Sequence, residues 1–192
     1  MTHFECEIAA KHAGLNNLEI KSLYEIGKSA ALKGGEVLMG NYGKIRNIDH
    51  KKNIGDLVTN ADLEAEEKII NFLVKETPDI ALLAEESGSK GTQNELKWCI
   101  DPLDGTTNFA HGYPFFATSI GLTFNDVPIL GSIAVPFFNE IYSAAPGIGS
   151  FCNNKEIQTS SCKCLIESLL VTGFAYDRHQ TIDNNYAEFC SL

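Results

Sequence analysis

Residues 98–109 read W-C-I-D-P-L-D-G-T-T-N-F, and the reading of this stretch decides the rest of the chain. The apolar run Trp98-Cys99-Ile100 leads straight into Asp101, which places that carboxylate at a strand mouth. Pro102 fixes its own φ and pushes Asp101 into an extended conformation, so the chain turns while Asp101 and Asp104 come round close together. Gly105 lets a ligand approach the bare backbone. Thr106 opens a short helix that Gly112 and Pro114 close, and the free amides at its start face whatever the aspartates hold. Two carboxylates about 4 Å apart repel by about 4 kcal/mol at an effective dielectric near 20, and a divalent ion between them reverses the sign. An anion can then bridge that ion and the helix start. Asp-Pro or Asp-Gly alone reads as a surface turn; both together, followed by two threonines and an asparagine, read as a site.

Working towards the N-terminus, Ile80-Ala81-Leu82-Leu83-Ala84 is a second strand-length apolar run ending in acid, Glu85-Glu86-Ser87-Gly88. Neighbouring side chains on a strand point to opposite faces, so one glutamate of the pair is expected to serve the site and the other to be structural. Asp56-Leu57-Val58-Thr59-Asn60-Ala61-Asp62 runs into a helical pattern at Leu63, Ile69, Ile70, Leu73 and Val74. Thr59 and Asp62 have capping-box spacing, which makes Asp62 a helix-start carboxylate on structural grounds alone. Lys51 and Lys52 precede this segment in a polar loop. From Leu18 to about Met39 the apolar spacing predicts one long helix, weakened at Gly34-Gly35, and residues 1–16 show no sustained period and read as a loose leader.

Towards the C-terminus, residues 87–97 are polar and read as a surface loop. The stretch from Phe115 to Ala144 alternates between turn signals as an antiparallel meander, with a tight turn at Gly147-Ile148-Gly149. Ser168 to Gly173 reads as a buried strand and 184–192 as the start of a helix. Composition bounds the function classes. With 192 residues, 44% hydrophobic and 21% charged, the chain can bury a core, and a net charge of −10 argues against nucleic acid or an anionic membrane as main partner. No apolar run approaches membrane-spanning length and no signal-peptide pattern opens the chain, so the expectation is a soluble cytoplasmic protein. Six scattered cysteines read as reduced thiols, Cys162-Lys163-Cys164 lacks the partners of a zinc site, and Cys99 and His111 read as packing or surface residues. Every candidate ligand is a hard oxygen, which points to Mg²⁺ before Mn²⁺ or Ca²⁺. The spacing of Asp101 and Asp104 does not fit a D-x-D-x-T aspartyl-phosphate motif, and no phosphate-cradling G-x-x-x-x-G-K-[ST] loop or G-x-S-x-G elbow occurs.

The segments D-L-V-T-x-x-D at 56–62, E-E-S-G at 85–88 and D-P-L-D-G-T-T-N-F at 101–109, with V-T-G-F-A-Y-D-R at 171–178, resemble the inositol monophosphatase family of Mg²⁺-dependent, lithium-sensitive sugar phosphatases. The resemblance implies an α+β layered sandwich, with N-terminal helices on a mainly antiparallel sheet. It divides the chain into a leader (1–16), a metal-binding domain (17–165) and a second domain only begun (166–192). It implies hydrolysis of a small phosphate monoester, inositol monophosphate first, by metal-activated water. Metal ligands would be Glu85, Asp101, the Leu103 carbonyl and Asp104. Catalytic roles would fall to Glu85, Thr106, Asp62 and Lys51, and substrate contacts to Glu85, Leu103, Asp104, Gly105 and Thr106. The partner would be a phosphorylated polyol, and the full-length form a homodimer. Fructose bisphosphate, histidinol phosphate and nucleotide 3′-phosphates are sister substrates, and an inactive regulatory protein is the reading from another class. The family's later W-D-x-A motif is not found in 179–192, so a fragment of a longer enzyme, lacking its C-terminal third, is expected.

Overall fold

The computed structural model describes residues 3–44, 48–50, 57–90, 95–174 and 184–191. Two long helices, α2 (Asn17–Asn41) and α3 (Asn60–Glu76), pack on each other and on one face of an eight-stranded sheet, with α1 (His3–His12) beside them. The strands of that sheet are β3 (Ala81–Ala84), β4 (Gly88–Lys90), β5 (Leu96–Asp104), β6 (Ala117–Phe124), β7 (Val127–Val135), β8 (Glu140–Ala145), β9 (Gly149–Cys152) and β10 (Lys155–Glu156). Their spatial order is β10-β9-β8-β7-β6-β5-β3-β4, and β1 (Ile48–His50) and β2 (Leu57–Thr59) form a separate antiparallel ribbon. The expected α+β class, helices on a mainly antiparallel sheet, is what the chain adopts.

Each long helix begins where its sequence supplies a cap. Asn16 accepts from the amides of Leu18 and Glu19 while Glu19 reaches back to the Asn16 amide, and Thr59 with Asp62 does the same for α3. The glycines of α2 do not interrupt it: Gly34 lies where β6 comes closest, and a Cβ there would stand 2.7 Å from Thr118 Cγ2 and 2.8 Å from Ile69 Cδ1. The buried face of α3 is Ala61, Asp62, Ala65, Glu66, Ile69, Ile70 and Leu73, so Leu63 and Val74, expected on that face, are exposed.

The core fills the space between helices and sheet with Ile20, Leu23, Ala30, Ile69 and Leu73 from above and Trp98, Ile100, Ile120, Leu122, Leu130 and Ile141 from below. Trp98 is fully buried and donates its indole N–H to Thr77 Oγ1 at 3.0 Å. A second apolar cluster, Leu38, Ala61, Ala65, Leu103, Phe109 and Phe116, lies beneath the Asp101–Phe109 stretch, with Tyr42 packed against Phe109 and Phe116.

The meander expected from Phe115 onward forms as β6 to β9. Its first turn is Asn125-Asp126, both at positive φ as a two-residue hairpin of matching twist requires, one residue earlier than the Asp126-Val127-Pro128 turn signal suggests. Four expectations give way. Residues 3–12 are helical, with Ala9 and Ala10 buried in the core, because small side chains let a weakly patterned helix dock closely. The polar 87–97 stretch contains β4, held by backbone pairing with β3 rather than by apolar side chains. Residues 168–173 form no strand, and Ile166, Leu169 and Val171 are more than nine-tenths exposed. Cys99 is half-buried instead of core, since it alternates with the buried Trp98 and Ile100 along β5.

Candidate active site

Among the described strand pairs, β3 with β5 is the parallel one. Parallel strands end side by side, so the residues that follow them emerge together. Ala84 is in register with Ile100, and the Glu85 amide donates to the Ile100 carbonyl at 3.0 Å. Glu85 and Asp101 are therefore delivered to one point by two separate strands, and their side chains are hydrogen-bonded to each other.

Asp104 reaches this point by a different device. Asp101 opposes Ser119 and Asp104 opposes Ala117, so β5 takes three steps where β6 takes two. In an unbroken strand residues three apart face opposite sides; the extra residue in β5 is a bulge that turns Asp104 back towards Asp101. Pro102 sits in the bulge, where its missing N–H costs no ladder bond, and its carbonyl is taken by Thr118 Oγ1 at 2.9 Å. Asp101 Oδ1 accepts the Leu103 amide at 3.1 Å, which fixes the carboxylate against its own turn.

The crowding shows in protonation. Burial pushes the Asp101 carboxyl up to about 7, with the Glu85 charge, the hydrogen bond to Glu85 and the Asp104 charge adding to it and the Leu103 amide opposing. Below about pH 7 Asp101 thus carries a proton where it meets Glu85. Among the described residues no three His, Cys, Asp or Glu side chains stand close enough to form a ready metal cage. What is assembled is a carboxylate pair in contact and a third, exposed carboxylate that acts on it by charge. The pair fits a divalent cation: it is all oxygen, it opens to solvent through Glu85 and Asp104, and it binds a proton where a cation would neutralise the same repulsion.

Asp62 and Thr106 complete the group from below. Asp62 is 1% exposed; its Oδ2 accepts the Thr59 amide at 2.8 Å and the Thr59 hydroxyl at 2.6 Å, and its Oδ1 lies 3.2 Å from Thr106 Oγ1. Burial raises its pKa, against hydrogen bonds from Thr59 and Thr106 that lower it. Thr106 Oγ1 is also 2.9 Å from the Leu103 carbonyl, and a hydroxyl with one proton donates to only one of these acceptors at a time. The capping reading of Asp62 holds, and the same carboxylate is the one that reaches Thr106. Gly105 opens α4 (Thr106–Ala110) at φ 85°, and a Cβ there would lie 3.0 Å from the Phe115 carbonyl, so the turn admits only glycine.

Of the residues expected at the site, the structure gathers Asp62, Glu85, Asp101, Leu103, Asp104, Gly105 and Thr106; Lys51 lies outside the described residues. His111 is exposed, with Nδ1 2.8 Å from the Thr107 carbonyl, in keeping with a surface role. One residue was missed. Glu66 is 4% exposed and its Oε2 accepts the Glu86 amide at 2.8 Å. Its signal was available, since it lies one turn beyond Asp62 on the buried face of α3.

The chain thus combines a sheet with helices on one face, a carboxylate pair brought together by two parallel strands, and a Gly-Thr-Thr helix start beside it. The chain belongs to the inositol monophosphatase family, whose model matches residues 19–192. It is 47% identical over 175 residues to an inositol-1-monophosphatase of Synechocystis, covering 91% of this chain and 61% of that protein. It is 40% identical over 157 residues to a fructose-1,6-bisphosphatase/inositol-1-monophosphatase of Aquifex aeolicus, covering 81% of this chain and 59% of that one. The solved inositol monophosphatase of Anabaena (Nostoc) matches with a TM-score of 0.77 at 44% identity, over 91% of this chain and 63% of its own. The chain spans about three-fifths of the length of these relatives.

Proposed function

We propose that this chain carries the cation- and phosphate-binding part of a phosphatase of small phosphate monoesters, with inositol monophosphate as substrate and Mg²⁺ as the ion. The observation that carries the reading is the contact of Glu85 with Asp101 at the ends of two parallel strands, within electrostatic reach of Asp104. Glu85, Asp101 and the Leu103 carbonyl would hold one ion, and Asp101 with Asp104 a second. Such ions supply Lewis acidity at the phosphate and lower the pKa of water.

The remaining work falls to the chain itself. Thr106, anchored between Leu103 and Asp62, presents a hydroxyl that orients an attacking water together with Glu85. Asp62 accepts the hydroxyl proton of Thr106 and keeps its lone pair aimed outward. The amides of Gly105 and Thr106 offer donors to phosphate oxygens beside the carboxylate group. Lys51, outside the described residues, would supply the positive charge that the family resemblance assigns to it. The names of the Synechocystis and Aquifex relatives support the substrate class, and the double name of the latter favours fructose 1,6-bisphosphate as second substrate.

The same reading takes residues 17–165 as the cation-binding domain and 166–192 as a separate unit, which the exposure of Ile166, Leu169 and Val171 supports. It also takes the assembled enzyme as a cytoplasmic homodimer; among the described residues no helix is long and apolar enough to cross a membrane. Phosphate release from inositol 1-phosphate, fructose 1,6-bisphosphate and glycerol 2-phosphate, with Mg²⁺ and with a chelator, tests the proposal. Mg²⁺-dependent release, fastest from inositol 1-phosphate, is expected; release indifferent to the chelator would refute it.

A further inference from the structure

Glu66 is a charged residue in the floor of the fold, 4% exposed, on a helix face otherwise lined by Ala61, Ala65, Ile69, Ile70 and Leu73. A carboxylate is costly to bury, and an apolar side chain of similar length would pack at this position without that cost. Among the described residues its geometry shows the hydrogen bond from the Glu86 amide to Glu66 Oε2 at 2.8 Å. The preceding amide, that of Glu85, is tied to the Ile100 carbonyl at 3.0 Å. Both peptide units flanking the Glu85 Cα are therefore anchored, one to β5 and the other to α3.

This double anchoring matters because β3 ends at Ala84 and residues 85–87 form the turn into β4 that the Ala84–Gly88 pair closes, so the 85–86 peptide is set by the Glu66 bond and not by strand pairing. A peptide inside a turn keeps its orientation only through what takes its amide and carbonyl. Glu85 must stay beside Asp101 for the pair to act as one donor set, and a shift of the backbone at 85–86 would draw its carboxylate away from Asp101.

We infer that Glu66 is a positioning residue of the site: from α3 it accepts the Glu86 amide and so locks Glu85 beside Asp101 in the geometry that receives a divalent cation. It touches neither cation nor substrate, and it acts only through the backbone at 85–86. Its relation to Glu85 is the relation that outer partners of metal ligands generally have, holding the ligand's orientation. The cation-binding consequence rests on the proposed function; the anchoring does not.

Two variants separate the carboxylate from the space it fills. Glu66→Gln keeps an acceptor oxygen, and Glu66→Met keeps length and packing but accepts nothing; Glu66→Leu replaces it should the methionine variant not fold. In the metal-free full chain, amide exchange at Glu86 is expected to speed up at least tenfold in Glu66→Met and to stay within about twofold in Glu66→Gln, at unchanged circular dichroism. Mn²⁺ binding, read by electron paramagnetic resonance, is expected to weaken about 10- to 100-fold in Glu66→Met and to recover in Glu66→Gln. An unchanged Glu86 exchange rate in a folded Glu66→Met would overturn the anchoring. Unchanged Mn²⁺ affinity alongside faster exchange would overturn the positioning role. Absence of Mn²⁺ binding in the parent chain would instead sink the proposed function, leaving the anchor decided by exchange alone.

Discussion

The two ends of the same sheet do different work. From β6 to β9 the strands pair antiparallel with one face on the helices, and their buried residues are apolar or small: Ile120, Leu122, Leu130, Ala134, Ile141 and Ala145. From β5 to β3 the pairing turns parallel, and the residues just past the paired stretch, Glu85 and Asp101, are acidic. Successive antiparallel strands send their ends to opposite edges, so a meander cannot gather like residues at one edge from neighbouring strands. The parallel pair can, and a bulge then recovers a third residue from the same strand. Stability is concentrated in the meander and its helices, and the unfavourable charge is concentrated at the parallel corner.

That division predicts opposite responses to substitution. Asp101→Asn at the parallel corner should reduce Mg²⁺-dependent phosphate release by more than about 100-fold, since loss of even an outer partner of a ligand costs about 10- to 100-fold. Its metal-free melting temperature at pH 8 should hold or rise, because the substitution removes a crowded charge. A variant with near-parental turnover would break the comparison at its active end.

Gly34→Ala, under the meander, should do the reverse. Its Cβ would stand 2.7 Å from Thr118 Cγ2 and 2.9 Å from Thr118 Oγ1, so α2 must lift from β6. Overpacking of this kind costs about 2 kcal/mol and lowers the melting temperature of a chain of this size by roughly 4–8 °C. Differential scanning calorimetry checks it, and an unshifted midpoint would mean that the helix–sheet contact is looser than described.

The acidic corner also sets a pH dependence. Asp101 in the fold holds its proton up to about pH 7, whereas in the unfolded chain it loses it near 3.8, so the native state binds more protons across that interval. Stability without divalent cations should therefore fall as pH rises from about 4 to 7, and Asp101→Asn should flatten that slope. Urea midpoints measured along the interval decide this.

The smallest effect is expected at Ser132 in β7. It is fully buried, and its hydroxyl meets no hydrogen-bond partner among the described residues, so Ser132→Ala should be neutral or stabilising by up to about 1 kcal/mol. A loss of stability would reveal a partner for that hydroxyl.

Local signals in the sequence carried the elements that depend on local chemistry. The Asp-Pro-x-Asp-Gly turn, the cap at Thr59 and the alternation through β6 to β8 were readable because spacing alone produces them. The parallel register of β3 and β5 was not, because it joins segments whose pairing no local pattern announces. It is that register, and not the strand ends taken singly, that sets Glu85 against Asp101. The short strand β4 was hidden because Gly88-Ser89-Lys90 has no apolar face, and residues 168–173 misled because an apolar run predicts burial only where something covers it. Glu66 was passed over because a glutamate amid a helical pattern ordinarily faces water.

The direct test is calorimetric titration of the metal-free chain with Mg²⁺ at pH 6 and pH 8. If Asp101 holds its proton at the place a cation takes, binding at pH 6 releases about one proton per ion, and affinity rises by about tenfold between pH 6 and pH 8, levelling above about pH 7. Binding of equal strength at both pH values without proton release, or no binding at either, would contradict that account.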